Sequence, residues 1–250
     1  MMRAMEPNDS PDPFGRQQVV LLHGLASSHR IWDRVVPLLG ADCHTLALDL
    51  IGGQPVEAEA AAVIERLDRP VVLAGHSLGG LVATAVAEAR SDLVRRLVLV
   101  NSPPTVPSRL TANSGVERLM KLPLLGRLLW ARASEEDLRR GARSAVARGA
   151  TVPDVLVDDV RATPHRAFVG STRAADSYLA ARSLYDRVGA LSIPVDVVFG
   201  LEDRRVARSS LGGYERLGNV TVTRIPGVGH SPPVEAPQAV ADVLIAAARG

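Results

Sequence analysis

Cysteine occurs once in this 250-residue chain, at Cys43, so neither an internal disulfide framework nor a cysteine-based zinc cluster can form. A reducing compartment, the cytoplasm, is the expected location, and Cys43 reads as a buried strand residue, not a nucleophile. Aromatic residues are scarce: three Phe, three Tyr and two Trp make an aliphatic core and exclude a stacking platform for single-stranded nucleic acid. No large excess of one charge exists either. Twenty-nine Lys and Arg against twenty-seven Asp and Glu leave +2, too little for a dedicated nucleic-acid binder. Long apolar runs are missing too. The most apolar helical stretch, Leu122 to Ala131, is interrupted by Arg127 and is half the ~20 residues a membrane span needs, so no span is expected. Met1 to Phe14 carries Glu6, Asp9, Asp12 and three prolines with no apolar run behind a basic start, so it does not read as a secretory signal, and a loose tail is expected over residues 1–16.

What is present is 46% hydrophobic and 22% charged, enough for one large domain without staples. Short aliphatic runs at Val19–Leu22, His44–Leu48, Val71–Ala74, Leu97–Val100, Val195–Phe199 and Val220–Ile225 are bounded by turn residues and read as strands. Helical patterns at Ser28–Leu39, Pro55–Leu67, Leu78–Arg90, Val206–Leu217 and Ala236–Ala248 separate them. Strands alternating with helices predict an α/β fold, a doubly wound, mostly parallel sheet. The alternation fails from about Pro107 to Ala190, where Ala-, Leu- and Arg-rich helical pattern is broken at Pro123, Gly149, Pro153 and Pro164. An inserted helical cap over 105–190 is the expectation, with the core built from 17–104 and 191–250. Between Pro107 and Ala190 fourteen basic residues face nine acidic ones, a net +5 that leaves the rest of the chain at −3. Such a surface is either simply solvated or attracts an anionic substrate or carrier.

The run Pro70 to Ala74 leads into Gly75-His76-Ser77-Leu78-Gly79-Gly80 and then a helical pattern. This is G-x-S-x-G in a strand-turn-helix setting. A serine on so sharp a turn takes strained backbone angles, and its neighbours must be tiny for strand and helix to pass. Packing alone could explain the glycines, but the setting favours Ser77 as a nucleophile. The first strand runs into His23-Gly24-Leu25, whose Leu25 backbone N–H, beside that of Leu78, could hold an oxyanion. His23 reads as a residue shaping that loop. After the last strand, Pro226-Gly227-Val228-Gly229-His230 sets a histidine in a glycine-rich loop at the same sheet edge, suited to a general base. His29, His44, His76 and His165 lack such a setting and read as surface or loop residues. Gly200-Leu201-Glu202-Asp203 supplies carboxylates twenty-seven residues ahead of His230. Asp203 is the first choice for orienting the imidazole and Glu202 the second; capping of the next helix is the alternative for both.

The order Ser77, Asp203, His230, with these four motifs at successive strand ends, resembles the α/β-hydrolase fold superfamily. The likeness is to its lidded branch of esterases, lipases, thioesterases and C–C bond hydrolases. That resemblance implies Ser77 as nucleophile, His230 as base, Asp203 as acid, Leu25 and Leu78 as oxyanion donors, no metal or organic cofactor, and a small-molecule substrate. It implies a serine hydrolase of a small- to medium-sized carboxylic ester or thioester. Alternatives on the same residues are a C–C hydrolase, perhydrolase, lyase or cofactor-free oxygenase, or a low-turnover receptor. Three departures from the family pattern stand out. Only a short segment precedes the first strand, so the first sheet edge is expected to be shortened or absent. Asp49-Leu50-Ile51-Gly52-Gly53-Gln54 is a curtailed version of a longer motif, which would leave the pocket more open there. Asn101, not an acid, follows the fourth strand, which argues for Asp203. Within the cap, Val116, Leu119, Met120, Leu122, Leu124, Leu125, Leu128, Leu129 and Trp130 either line an acyl channel or seat the cap on the core, and seating is expected for most.

Overall fold

The aliphatic runs lack polar alternation, and a strand of that kind is stable only when both its faces are covered. In the structure, a computed structural model, they form one sheet of six strands. It describes residues 15–111 and 115–250, with the side chain of Val116 left out, so the tail expected over Met1 to Phe14 lies outside the described residues. The strands are β1 (Gln17–Leu22), β2 (Cys43–Leu48), β3 (Val71–His76), β4 (Val94–Val100), β5 (Val195–Gly200) and β6 (Val220–Ile225). Their order is β2-β1-β3-β4-β5-β6 and every pairing is parallel. Among the described residues, no antiparallel strand precedes β1.

Successive side chains of a strand point to opposite faces, and two apolar layers result. One layer packs Val20, Leu22, Leu73, Leu97, Leu99 and Phe199 against α2 (Val56–Ile64) and α3 (Leu78–Ala89). The other packs Val19, Leu21, Ala74, Val98 and Val198 against Ile31, Trp32, Leu39 and the C-terminal helix. The pattern expected as one helix over Ser28–Leu39 is divided into a 3-10 turn, His29–Trp32, and a short α1 (Val36–Leu39) that carries Pro37 in its first turn. Proline has no N–H to continue the preceding turn.

Between β4 and β5 the longer regular elements are all helices among the described residues: α4 (Gly115–Met120), α5 (Pro123–Arg132), α6 (Glu135–Ala142), α7 (Asp154–Ala162), α8 (His165–Ala181) and α9 (Leu184–Gly189). The breakers act where helix physics puts them. Pro123 sits in the first turn of α5, and Pro153 and Pro164 are the residues just before α7 and α8. Helix α6 begins with a reciprocal cap, Ser134 Oγ accepting the Asp137 N–H while the Asp137 carboxylate accepts the Ser134 N–H. After β5 the helix is reduced to α10 (Leu211–Tyr214), shorter than the expected Val206–Leu217; two glycines, Gly212 and Gly213, weaken it. The chain closes with α11 (Pro232–Glu235) and α12 (Pro237–Arg249). Among the described residues no helix is long and apolar enough to cross a membrane.

Candidate active site

In a parallel sheet the carboxyl ends of all strands share one edge, and that topology gathers residues distant in sequence. Three non-glycine residues among those described have positive φ: Ala26 after β1 (52°), Ser77 after β3 (52°) and Asn101 after β4 (47°). Such angles cost of order 1–3 kcal/mol each and persist only where the surroundings impose them. Ser77 is pinned by its N–H donating to Val100 O at 2.8 Å and by its carbonyl accepting from Gly80 N–H at 3.1 Å. A methyl group on Gly75 would collide with the backbone of Gly79 and Gly80, and one on Gly79 would lie 2.5 Å from His23 O. The small residues of the motif are therefore sterically required, and they hold the hydroxyl on the turn with the α3 N-terminus behind it.

The structure brings Ser77, His230 and Asp203 together. Ser77 Oγ lies 3.0 Å from His230 Nε2, and His230 Nδ1 lies 2.8 Å from Asp203 Oδ2. The serine is half-buried, whereas the imidazole and the carboxylate are buried. Burial alone would raise the Asp203 carboxyl, but the His230 charge and hydrogen bonds from His230, Asn101 and the Arg205 amide hold it below the usual carboxylate range. Its Oδ1 also accepts from the N–H of Arg205 (2.6 Å) and Val206 (3.0 Å), so Asp203 both faces the histidine and caps the turn that follows it. Glu202 points to solvent.

Leu25 and Leu78 flank a cavity of about 210 Å³, whose wall includes Ser27, Asp49, Asp159 and Pro164. Neither Leu25 N–H nor Leu78 N–H is taken up by a backbone hydrogen bond among the described residues. His23 shapes this loop as its position suggests: Nε2 accepts the Leu50 N–H at 2.9 Å, leaving Nδ1–H to donate to Gly24 O at 2.8 Å. Burial keeps that ring neutral. Helix α7 reaches the same loop through its buried Asp159, which accepts from Ser28 Oγ at 2.9 Å and Ser27 Oγ at 3.4 Å. Its carboxyl is pushed up by burial. The curtailed turn is covered at Gly52–Gly53, while Ile51 beside it on the cavity wall stays exposed. Helix α8 packs onto the two glycines, with Gly53 N–H donating to Ser171 Oγ at 2.8 Å.

Three contributors escape a reading of the sequence. Asn101 Nδ2 donates to Asp203 Oδ2 at 2.6 Å, and its Oδ1 accepts from Gly200 N–H at 3.1 Å. Glu235 accepts from the N–H groups of Gly229 (3.0 Å), Ser231 (3.1 Å) and Ala147 (2.8 Å), clamping the histidine loop to the segment that follows α6. His76, expected at the surface or in a loop, is instead buried. Its Nε2–H donates to His230 O at 2.8 Å and its ring lies 5.1 Å from the His230 ring, centroid to centroid. Burial, helped by the neighbouring His230, pushes its pKa down to about 3. A carboxylate five residues after His230 and a donor at the end of the fourth strand are the only signals the sequence offers for Glu235 and Asn101.

Similarity to known proteins agrees with this frame. Over 93% of this chain and 76% of the relative, the sequence is 29% identical to a pimeloyl-[acyl-carrier protein] methyl ester esterase of Neisseria meningitidis serogroup A. Among solved structures, Cfl2 from Burkholderia cenocepacia superposes with a TM-score of 0.75 at 25% identity, covering 92% of this chain and 87% of that one. A hydrolase from Oleispira antarctica superposes with a TM-score of 0.77 at 15% identity, covering 94% and 92%, a likeness of fold alone. The pattern of the alpha/beta hydrolase family extends over residues 19–243, nearly the whole described sheet and everything inserted into it, and the chain belongs to that family.

Proposed function

We propose that this hydrolase cleaves a small- to medium-sized carboxylic ester through a seryl acyl-enzyme. The observation that carries the reading is the unbroken relay from Ser77 Oγ to His230 Nε2 at 3.0 Å and from His230 Nδ1 to Asp203 Oδ2 at 2.8 Å. His230 takes the Ser77 proton as Oγ attacks the ester carbonyl, and the resulting oxyanion is received by the N–H groups of Leu25 and Leu78. His230 then gives that proton to the departing alcohol. A water that loses its proton to His230 releases the acid and restores the serine. Asp203 stays ionised throughout and stabilises the imidazolium. The route needs neither metal nor organic cofactor.

Helices α4 to α9, the segment 105–190, serve as the cap over this site. The cavity beside the oxyanion donors is small and its wall carries Asp49, Glu59 and Asp159, a setting that favours an uncharged acyl or alkyl group over a free carboxylate. The Neisseria relative is named for a methyl ester, and by that likeness a neutral alkyl ester is the substrate class to try first. Ser77→Ala should abolish both hydrolysis of p-nitrophenyl acyl esters and labelling by a fluorophosphonate. Undiminished hydrolysis by that variant would overturn the proposal.

A further inference from the structure

From Arg118 to Ala133 the chain contains no acidic residue, three arginines and one lysine, six leucines and Trp130. The leucines are the surprise, because packing would have buried them. Leu124 is 85% exposed, Leu122 and Leu128 47%, Leu125 44% and Leu119 37%. Gly126 is the one buried residue of α5. Arg118, Arg127 and Arg132 are exposed and make no ion pair among the described residues, while Lys121 is held by Glu117 and Asp176. Elsewhere among the described residues the exposed large aliphatics, Leu38, Ile51 and Leu110, stand singly, whereas five leucines together mark an interaction surface.

We propose that α4 and α5 dock this protein on an anionic lipid bilayer, the leucines entering the acyl boundary and the three free arginines meeting the headgroups. Charge sets the choice of occupant. A second copy paired about a two-fold axis would place these arginines against themselves. Leu124, Leu125 and Leu128 stand at i, i+1 and i+4 of α5, within about 100° of one another, and form one apolar face. An apolar face flanked by unpaired arginines, with Leu, Trp and Arg on a short helix, suits the interface of an anionic bilayer. The helix is fixed to the cavity wall. Trp130 Nε1–H donates to Thr163 O at 3.0 Å, its ring lies 4.7 Å from that of Phe168, and Thr163 and Pro164 line the cavity. Docking therefore sets the cavity rim near the lipid surface. This surface stands independently of the hydrolytic reading.

The test is co-sedimentation of the full chain with phosphatidylcholine vesicles containing or lacking phosphatidylglycerol, together with Trp130 emission. Trp32, the other tryptophan, is fully buried and gives a constant background. Binding is expected only with phosphatidylglycerol, accompanied by a blue shift. Leu124→Asp with Leu128→Asp should weaken it by about tenfold or more. Arg127→Gln with Arg132→Gln should weaken it by roughly fivefold per charge and reduce its salt sensitivity. Hydrolysis of soluble p-nitrophenyl acetate should stay unchanged in both variants, which certifies their folding. The proposal falls if the wild type ignores anionic vesicles or if both variants bind like the wild type. It falls equally if light scattering finds a dimer that the leucine substitutions dissolve while no vesicle is bound.

Discussion

Asn101 Nδ2 and His230 Nδ1 converge on the same oxygen of Asp203, at 2.6 Å and 2.8 Å. The amide shares the load of the buried carboxylate and fixes its rotation. A hydrogen bond to a buried charge contributes about 1.5–3 kcal/mol, so Asn101→Ala should lower kcat/KM by roughly 10- to 100-fold. Asn101→Asp should behave differently. Two carboxyls in contact cannot both ionise easily, so the acid limb of the kcat/KM profile should move to higher pH. An unshifted limb in that variant would argue that the amide plays no electrostatic part.

Asp203→Asn should cost ~10³- to 10⁴-fold in kcat, since an amide there stabilises the wrong imidazole tautomer and cannot balance an imidazolium. Glu202 is exposed, and Glu202→Gln should leave kcat within about twofold. Steady-state kinetics of the pair, with fluorophosphonate labelling rates, decides which acid serves the histidine.

Acid should destabilise the fold through His76. Its pKa is about 3 when folded against an ordinary 6.5. Between these values the unfolded chain binds the proton and the folded one does not, so stability is full above pH 6.5 and falls as the pH drops toward 3. From pH 7 to pH 5 this loss is about 2 kcal/mol. His76→Gln keeps a donor for the His230 carbonyl but has no proton to gain. Urea midpoints at the two pH values should therefore shift less in the variant. His23, also pushed down by burial, adds a loss of the same sign to both proteins, so the difference isolates His76.

Gly79→Ala should cost about 1–3 kcal/mol and most of the activity, because its Cβ would press on Leu22 O at 2.6 Å and His23 O at 2.5 Å, at the root of the loop that carries Leu25. Gly212→Ala, in α10 with open space around it, should instead stabilise by about 0.5–1 kcal/mol. Thermal unfolding and esterase assays on the two variants provide the contrast.

The six strands were legible because a buried parallel strand is a continuous aliphatic run, and Ser77, Asp203 and His230 because each follows such a run through glycine. What stayed hidden depends on neighbours distant in sequence. The His76 side chain lies against the backbone of His230, 154 residues away, and no local pattern announces that. Asn101 read only as a missing acid, although its amide touches Asp203. Leu122, Leu124, Leu125 and Leu128 read as core or channel residues, since spacing reports a helix but not which of its sides has a neighbour.

The placement of 105–190 between β4 and β5 has a kinetic price. Leu97 pairs with Val195, 98 residues later, so the sheet's right half cannot register until a long loop is closed. A nascent chain ending within that stretch holds β2-β1-β3-β4 with a bare edge of Leu97, Val98, Leu99 and Val100, a template for illegitimate strand addition. Refolding in the test tube should consequently be slow and concentration-sensitive, and synthesis in the cell should lean on chaperones until β5 emerges.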